Sequence, residues 1–235
     1  MRGTAACPSF HARICIDAVR DNQPKHRQMR KEQRRLARRK ASLEGLPSVL
    51  IVCEGRETEP NYIDGLREHL RINAAAVHIE RGDSVTDPMG LVRNAQRLFK
   101  GDRDFDLVYV VCDGDSRLLA AARAVAAQRL RNSAGKVTQV QVIASCPSIE
   151  FWLLLHFEYS TRPFRTAAEV QDALLAHLPD YRKSDRDIFR MTATGLDRAC
   201  QRVEQLKAEL NASGSTSPDT DMHLLVEQFR RMRQF

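Results

Sequence analysis

The chain has 235 residues, 43% of them apolar and 29% charged, with 11 Gly, 9 Pro and a formal net charge of +7. That composition excludes a collagen-like, repeat-coil or wholly disordered protein and is enough for one domain with its own core. No apolar run approaches the roughly 20 residues of a membrane span, so a soluble, cytoplasmic protein is expected.

The charge is uneven. Residues Arg20 to Lys40 carry ten Lys/Arg against Asp21 and Glu32, a local charge of +8 that leaves −1 for the rest. Residues 1–46 therefore read as a basic, disordered leader, with Met29 as a candidate true start. Within it, Lys31, Arg34, Arg35, Arg38, Arg39 and Lys40 suit a phosphate backbone, which such a run binds by releasing counterions. A merely solvated leader is the other reading.

Regular patterning begins after Pro47. Val49–Cys53 is a continuous, β-branched-rich run, as in a strand buried on both faces. A helix follows over Glu59–Leu70, then a weaker strand over Ala76–Glu80. Asp87-Pro88 opens a helix to about Lys100, with Asp as N-cap and Pro in the first turn. Leu107–Cys112 is a second buried strand. An Ala/Arg/Leu helix is predicted over 116–131 and a strand over Val137–Ile143. A helix starting after Pro147 carries Glu150, Trp152 and His156. Thr166 to Glu169 forms a capping box for a helix to about His177. Gly195–Leu210 is amphipathic, Asn211–Asp219 reads as a polar turn, and Met222–Met232 is a closing helix.

Strands alternating with helices predict an α/β fold, a Rossmann-like parallel sheet flanked by helices, with a helical C-terminal extension. The expected division is a leader over 1–46, an α/β core over 47–158 and a helical part over 159–235 packed on it. The six Cys form no CxxC and no zinc spacing, which predicts reduced thiols.

Ligands of open parallel sheets bind beyond the carboxyl ends of the strands, where strand order reverses. The first strand ends in Cys53-Glu54-Gly55 and the third in Cys112-Asp113-Gly114-Asp115. In a 2-1-3-4 order, Glu54, Asp113 and Asp115 meet at one edge, and carboxylates that close call for a countercharge. Hard oxygen donors select Mg²⁺ or Mn²⁺. Ordinary turn chemistry is the competing account of each Asp-Gly pair. Glu57 or Glu59, both just past the first strand, could complete a second metal, and for Glu59 a charge matched to the helix N-terminus is the competing reading. Glu150 is either a site residue or the partner of Ser148 in a capping box. His156 is the remaining candidate, and Trp152 suits core packing or base stacking. No GxxxxGK[ST] and no GxGxxG is present, which argues against a P-loop or dinucleotide enzyme.

The run Glu54-Gly55-Arg56-Glu57-Thr58-Glu59-Pro60-Asn61-Tyr62 resembles the EGxxTExxY signature of RloB-like proteins. Cys146 to Phe157 is similar to their second hallmark, (S/N)PxxExWLLxHF, and Pro218, Thr220 and Leu224-Leu225-Val226 to their closing segment. The resemblance spans about 29–230 and implies a Toprim-like fold. It further implies Glu54 as general acid/base or metal-associated carboxylate, and Asp113 and Asp115 as Mg²⁺ ligands for phosphoryl transfer. Gly114 between them gives the loop an expected flexibility. RloB-like proteins belong to restriction-linked and abortive-infection phage defence, beside an ATPase partner. The function expected is a Mg- or Mn-dependent nuclease acting on DNA or RNA, with Glu54, Glu150 and His156 catalytic and Asp113, Asp115, Glu54 and Glu59 at the metal. The alternative is a catalytically silent nucleic-acid-binding or regulatory subunit. A homo-oligomer stays open, and no membrane is involved.

Overall fold

The computed structural model describes residues 28, 29, 31–33, 35, 36, 45–82 and 87–233. Most of the expected leader, including Arg34, Arg38, Arg39 and Lys40, lies outside the described residues, as do Cys7 and Cys15. Those described between 28 and 36 are helical.

A five-stranded sheet forms the centre. Its strands, in chain order, are β1 (Val49–Cys53), β2 (Val77–Glu80), β3 (Leu107–Asp113), β6 (Val140–Cys146) and β7 (Asp219–Thr220). The spatial order is β2-β1-β3-β6-β7, with β7 alone antiparallel. The first four thus stand in the expected 2-1-3-4 order. Strand β4 (Leu130–Arg131) and strand β5 (Val137–Thr138) pair separately as a short hairpin.

Every residue of β1 is buried. Because side chains alternate along a strand, Leu50 and Val52 point to one face and Val49, Ile51 and Cys53 to the other. Leu50 and Val52 join Leu91, Val92, Ala95 and Phe99 of α2 (Pro88–Gly101) and Ala122 and Ala126 of α3 (Leu119–Ala126). The opposite face packs against α1 (Thr58–His69), α4 (Ile149–Leu155), α5 (Ala167–Leu175), α6 (Ile188–Thr192), α7 (Leu196–Ser213) and α8 (Met222–Arg233). A strand covered on both faces has no polar side, hence its unbroken apolar run. Helix α2 starts as its sequence predicts, with the Asp87 carboxylate accepting the Gly90 N–H at 2.8 Å and Pro88 in the first turn.

Two stretches differ from their sequence patterns. The helix expected over 116–131 is limited to α3, because Leu130 turns into the core and pairs with Thr138. Asn132 builds the intervening turn, its Oδ1 accepting the N–H groups of Ala134 and Lys136, and Gly135 takes φ 79°. The single strand expected over Val137–Ile143 is divided at Gln139 between the hairpin and β6. Within the expected polar turn 211–219, the last residue begins β7. Lys207 holds both Asp219 and Asp221, and the Asp221 carboxylate also receives Arg123 Nη2 at 2.7 Å. Thr220 pairs with Ser145 and meets its hydroxyl at 2.7 Å.

The cysteines described, Cys53, Cys112, Cys146 and Cys200, are all free thiols. No helix of the described residues is long and apolar enough to cross a membrane.

Candidate functional site

Strand order reverses between β1 and β3, since the chain leaves β1 for β2 on one side and returns to β3 on the other. The crevice at a parallel sheet's carboxyl edge opens there. Glu54 follows β1 and Asp113 ends β3. The Glu54 N–H donates to Val111 O at 2.9 Å, which extends the ladder by one residue. Its carboxylate Oε2 then accepts the Asp113 N–H at 3.0 Å. The expected juxtaposition of these two strand ends is present.

Glycines make the edge narrow. A Cβ on Gly55 would lie 2.1 Å from Glu59 Oε2, and one on Gly82 would lie 1.8 Å from the Glu54 carbonyl oxygen. Gly114, expected to loosen the loop between the two Asp residues, is instead fastened. Its N–H donates to Ser145 O at 2.8 Å, and a Cβ there would stand 3.0 Å from Cys146 Cβ.

The electrostatics follow from this crowding. Burial, and then the charges of Glu59, Glu54, Glu150 and Asp115, push the Asp113 carboxyl up to about 8. Glu54 is raised by burial and, more weakly, by Asp115 and Asp87, against the Asp113 N–H that favours its charged form. Burial raises Glu59 too, with Glu150 and Glu54 adding to it. The Glu59 side chain curls back over Gly55, where backbone N–H groups of Glu59 and Gly55 favour its charged form. That arrangement agrees with its reading as a helix N-terminal charge. Among the described residues, no three His, Cys, Asp or Glu side chains form a ligand set for one metal ion.

Glu150 is 1% exposed and fully engaged. Its Oε2 accepts the Ser148 hydroxyl at 2.6 Å, and its Oε1 accepts the Tyr181 hydroxyl at 3.1 Å and faces Lys183 Nζ at 3.4 Å. Ser148 thus bonds to the Glu150 side chain, not to the helix N–H of a capping box. Residues 178–187 form a strap across the start of α1. Thr58 Oγ1 donates to Lys183 O at 3.0 Å and Asn61 Nδ2 to Asp185 O at 3.3 Å. Tyr181 and Lys183 have no helical or strand period to mark them; the run Tyr181-Arg182-Lys183 is readable only as a polar stretch between helices.

His156 has another place. It lies six residues beyond Glu150, about 9 Å along the helix axis, and is buried. The Thr192 carbonyl, 2.8 Å from Nδ1, can only accept, so Nδ1 carries the proton and Nε2 accepts from the Tyr62 hydroxyl at 3.2 Å. Trp152 packs edge-on against both rings. Burial holds His156 down at about 4, so the ring is neutral near pH 7. Both ring nitrogens of His156 thus have partners in the core. His156→Gln is expected to cost about 1–2 kcal/mol, read as a lowered urea midpoint.

Of the basic leader, Lys31 Nζ donates to Gly101 O at 3.2 Å and Arg35 Nε pairs with Asp104 at 2.9 Å. Both contacts are made at the end of α2 and the loop before β3, opposite the carboxylate edge.

Residues 49–229 match the model of the family described as RloB-like protein. No curated protein and no solved structure gives a significant match.

Proposed function

We propose that this chain, which belongs to the RloB-like family, is a Toprim-type, divalent-cation-dependent nuclease that hydrolyses nucleic-acid phosphodiesters in phage defence, with an ATPase partner. The observation that carries the reading is Asp113, whose carboxyl is raised to about 8 among Glu59, Glu54, Glu150 and Asp115 at the switch point of a parallel sheet. Acids gathered at that edge are suited to a cation and to groups that exchange protons near neutral pH.

The donor chemistry fits Mg²⁺ or Mn²⁺, both of which take hard oxygen ligands. Asp113 and the exposed Asp115 would hold the ion, with Glu54 beside them. When bound, such an ion polarises a phosphodiester oxygen and lowers the pKa of water. Glu54 is placed to move the proton. Its Oε2 is occupied by the Asp113 N–H, so the proton resides on Oε1, and burial brings its pKa up from the usual carboxylate range. Glu150, held by three donors, positions the strap. The basic residues Arg34, Arg38, Arg39 and Lys40, with Lys31 and Arg35, add affinity for the phosphate backbone.

The test is cleavage of labelled single-stranded and duplex DNA and RNA with Mg²⁺ or Mn²⁺. Asp113→Ala with Asp115→Ala is expected to lower the rate at least about 100-fold with the circular dichroism spectrum unchanged. A double variant that cuts like the wild type overturns the assignment. That no three donors among the described residues form a ligand set for one ion favours the second reading, a catalytically silent nucleic-acid-binding subunit. Salt-sensitive binding with no cleavage by either ion would establish it.

A further inference from the structure

We infer that Lys183 is a phosphate-docking residue, presented at the acidic edge by the strap over residues 178–187 so that it meets the backbone of a nucleic acid entering the crevice. The inference rests on the nucleic-acid reading above and adds a residue outside the two strand ends. Three separate stretches of chain, α1, α4 and the strap itself, converge to set the position of Lys183. Its carbonyl accepts the Thr58 hydroxyl at 3.0 Å, two residues on in the strap the Asp185 carbonyl accepts Asn61 Nδ2, and two residues back Tyr181 is buried with its hydroxyl on Glu150. The root of the side chain is therefore pinned to the first turn of α1 and to the first turn of α4.

The tip is not. The Lys183 side chain is 58% exposed and its ammonium stands 3.4 Å from Glu150 Oε1, an oxygen that already accepts from Tyr181. Because the ammonium carries three donors on a flexible stem, it can keep its contact with Glu150 and still offer a hydrogen to a phosphate oxygen on its exposed side. A phosphate brought toward Asp113 and Glu54 meets the negative charge of these two groups. One cation at the rim offsets that repulsion and orients the backbone, which is the part of a nucleic acid every sequence shares.

The test uses the full chain in EDTA, with a fluorescein-labelled single-stranded oligodeoxynucleotide and its duplex as probes. Lys183→Gln is expected to weaken binding roughly three- to tenfold at low salt and to reduce the slope of log K against log salt by about 1. Lys183→Arg, which keeps the charge on the same rim, is expected to recover the slope. A wild-type slope and affinity in Lys183→Gln overturn the inference. A loss shared equally by Lys183→Arg overturns it too, because the contribution would then come from strap packing. Cleavage with Mn²⁺ separates this result from the nuclease reading. Lysine-dependent binding without any cleavage keeps the docking role and removes that reading, whereas cleavage with unchanged Lys183→Gln binding does the reverse.

Discussion

Asp113→Asn is expected to stabilise the fold at pH 7 by about 2 kcal/mol while removing divalent-cation-dependent cleavage. The folded carboxyl stands at about 8, pushed there by burial first and by neighbouring carboxylates second, against 3.8 for an ordinary Asp. Between those values the folded state holds a proton that the unfolded state has lost. Stability therefore falls as pH rises through the window from 3.8 to about 8, and is unaffected below it. The full shift corresponds to roughly 4 kcal/mol at pH 7, and solvent access at the half-buried edge reduces it by about half. The amide keeps the shape and removes the charge.

His156 acts in the opposite direction, since its depressed value of about 4 makes stability rise with pH up to its ordinary 6.5. The informative quantity is thus the difference between variant and wild-type urea midpoints, which should widen from about pH 5 to about pH 8. A difference that stays flat would show that Asp113 is not the crowded carboxyl. Mn²⁺ should raise the wild-type midpoint and leave that of Asp113→Asn where it is.

Gly82→Ala is expected to cost about 3 kcal/mol and to abolish cleavage. The new methyl would lie 1.8 Å from the Glu54 carbonyl oxygen and 2.6 Å from its carbon. The obstacle is backbone, so no rotamer change can relieve it. The Gly82 N–H also donates to Gly55 O at 3.1 Å, so the segment after β2 cannot withdraw without losing that bond. The end of β1 has to move, and with it the Glu54 carboxylate that receives the Asp113 N–H. Gly101→Ala is the control, because a Cβ there meets nothing within 4 Å. Equal urea midpoints for the two variants would disprove the proposed contact.

The central strands were readable because burial on two faces leaves a plain mark. β1 and β3 are apolar at nearly every position, and the helix between them announces its start with Asp87-Pro88. From those boundaries the meeting of Glu54 with Asp113 followed. The segment 127–139 was not readable in the same way. Its Ala/Arg/Leu composition continues a helical pattern, but Asn132 bonds to Asp106, 26 residues away, and Leu130 enters the core. Long-range contacts decided against local propensity there. β7 has two residues, too few to show alternation; Lys207 holds its Asp219, and Arg123 the Asp221 that follows it. His156 carried the right chemistry for catalysis in sequence, and only the fold reveals that Tyr62 and Thr192 occupy both its nitrogens. Lys183 is 125 residues from Thr58 along the chain, so no window of sequence joins them.

By hydrogen-bonding alongside Ser145 and Cys146, the short antiparallel strand sets residues from late in the chain at one flank of the sheet. Among the described residues, β2 is the other flank, and it has a ladder partner on one side only. A strand arriving at this flank would register against the four residues Val77–Glu80, next to the end of β1 that carries Glu54, a longer template than the two residues of β7 at the other flank.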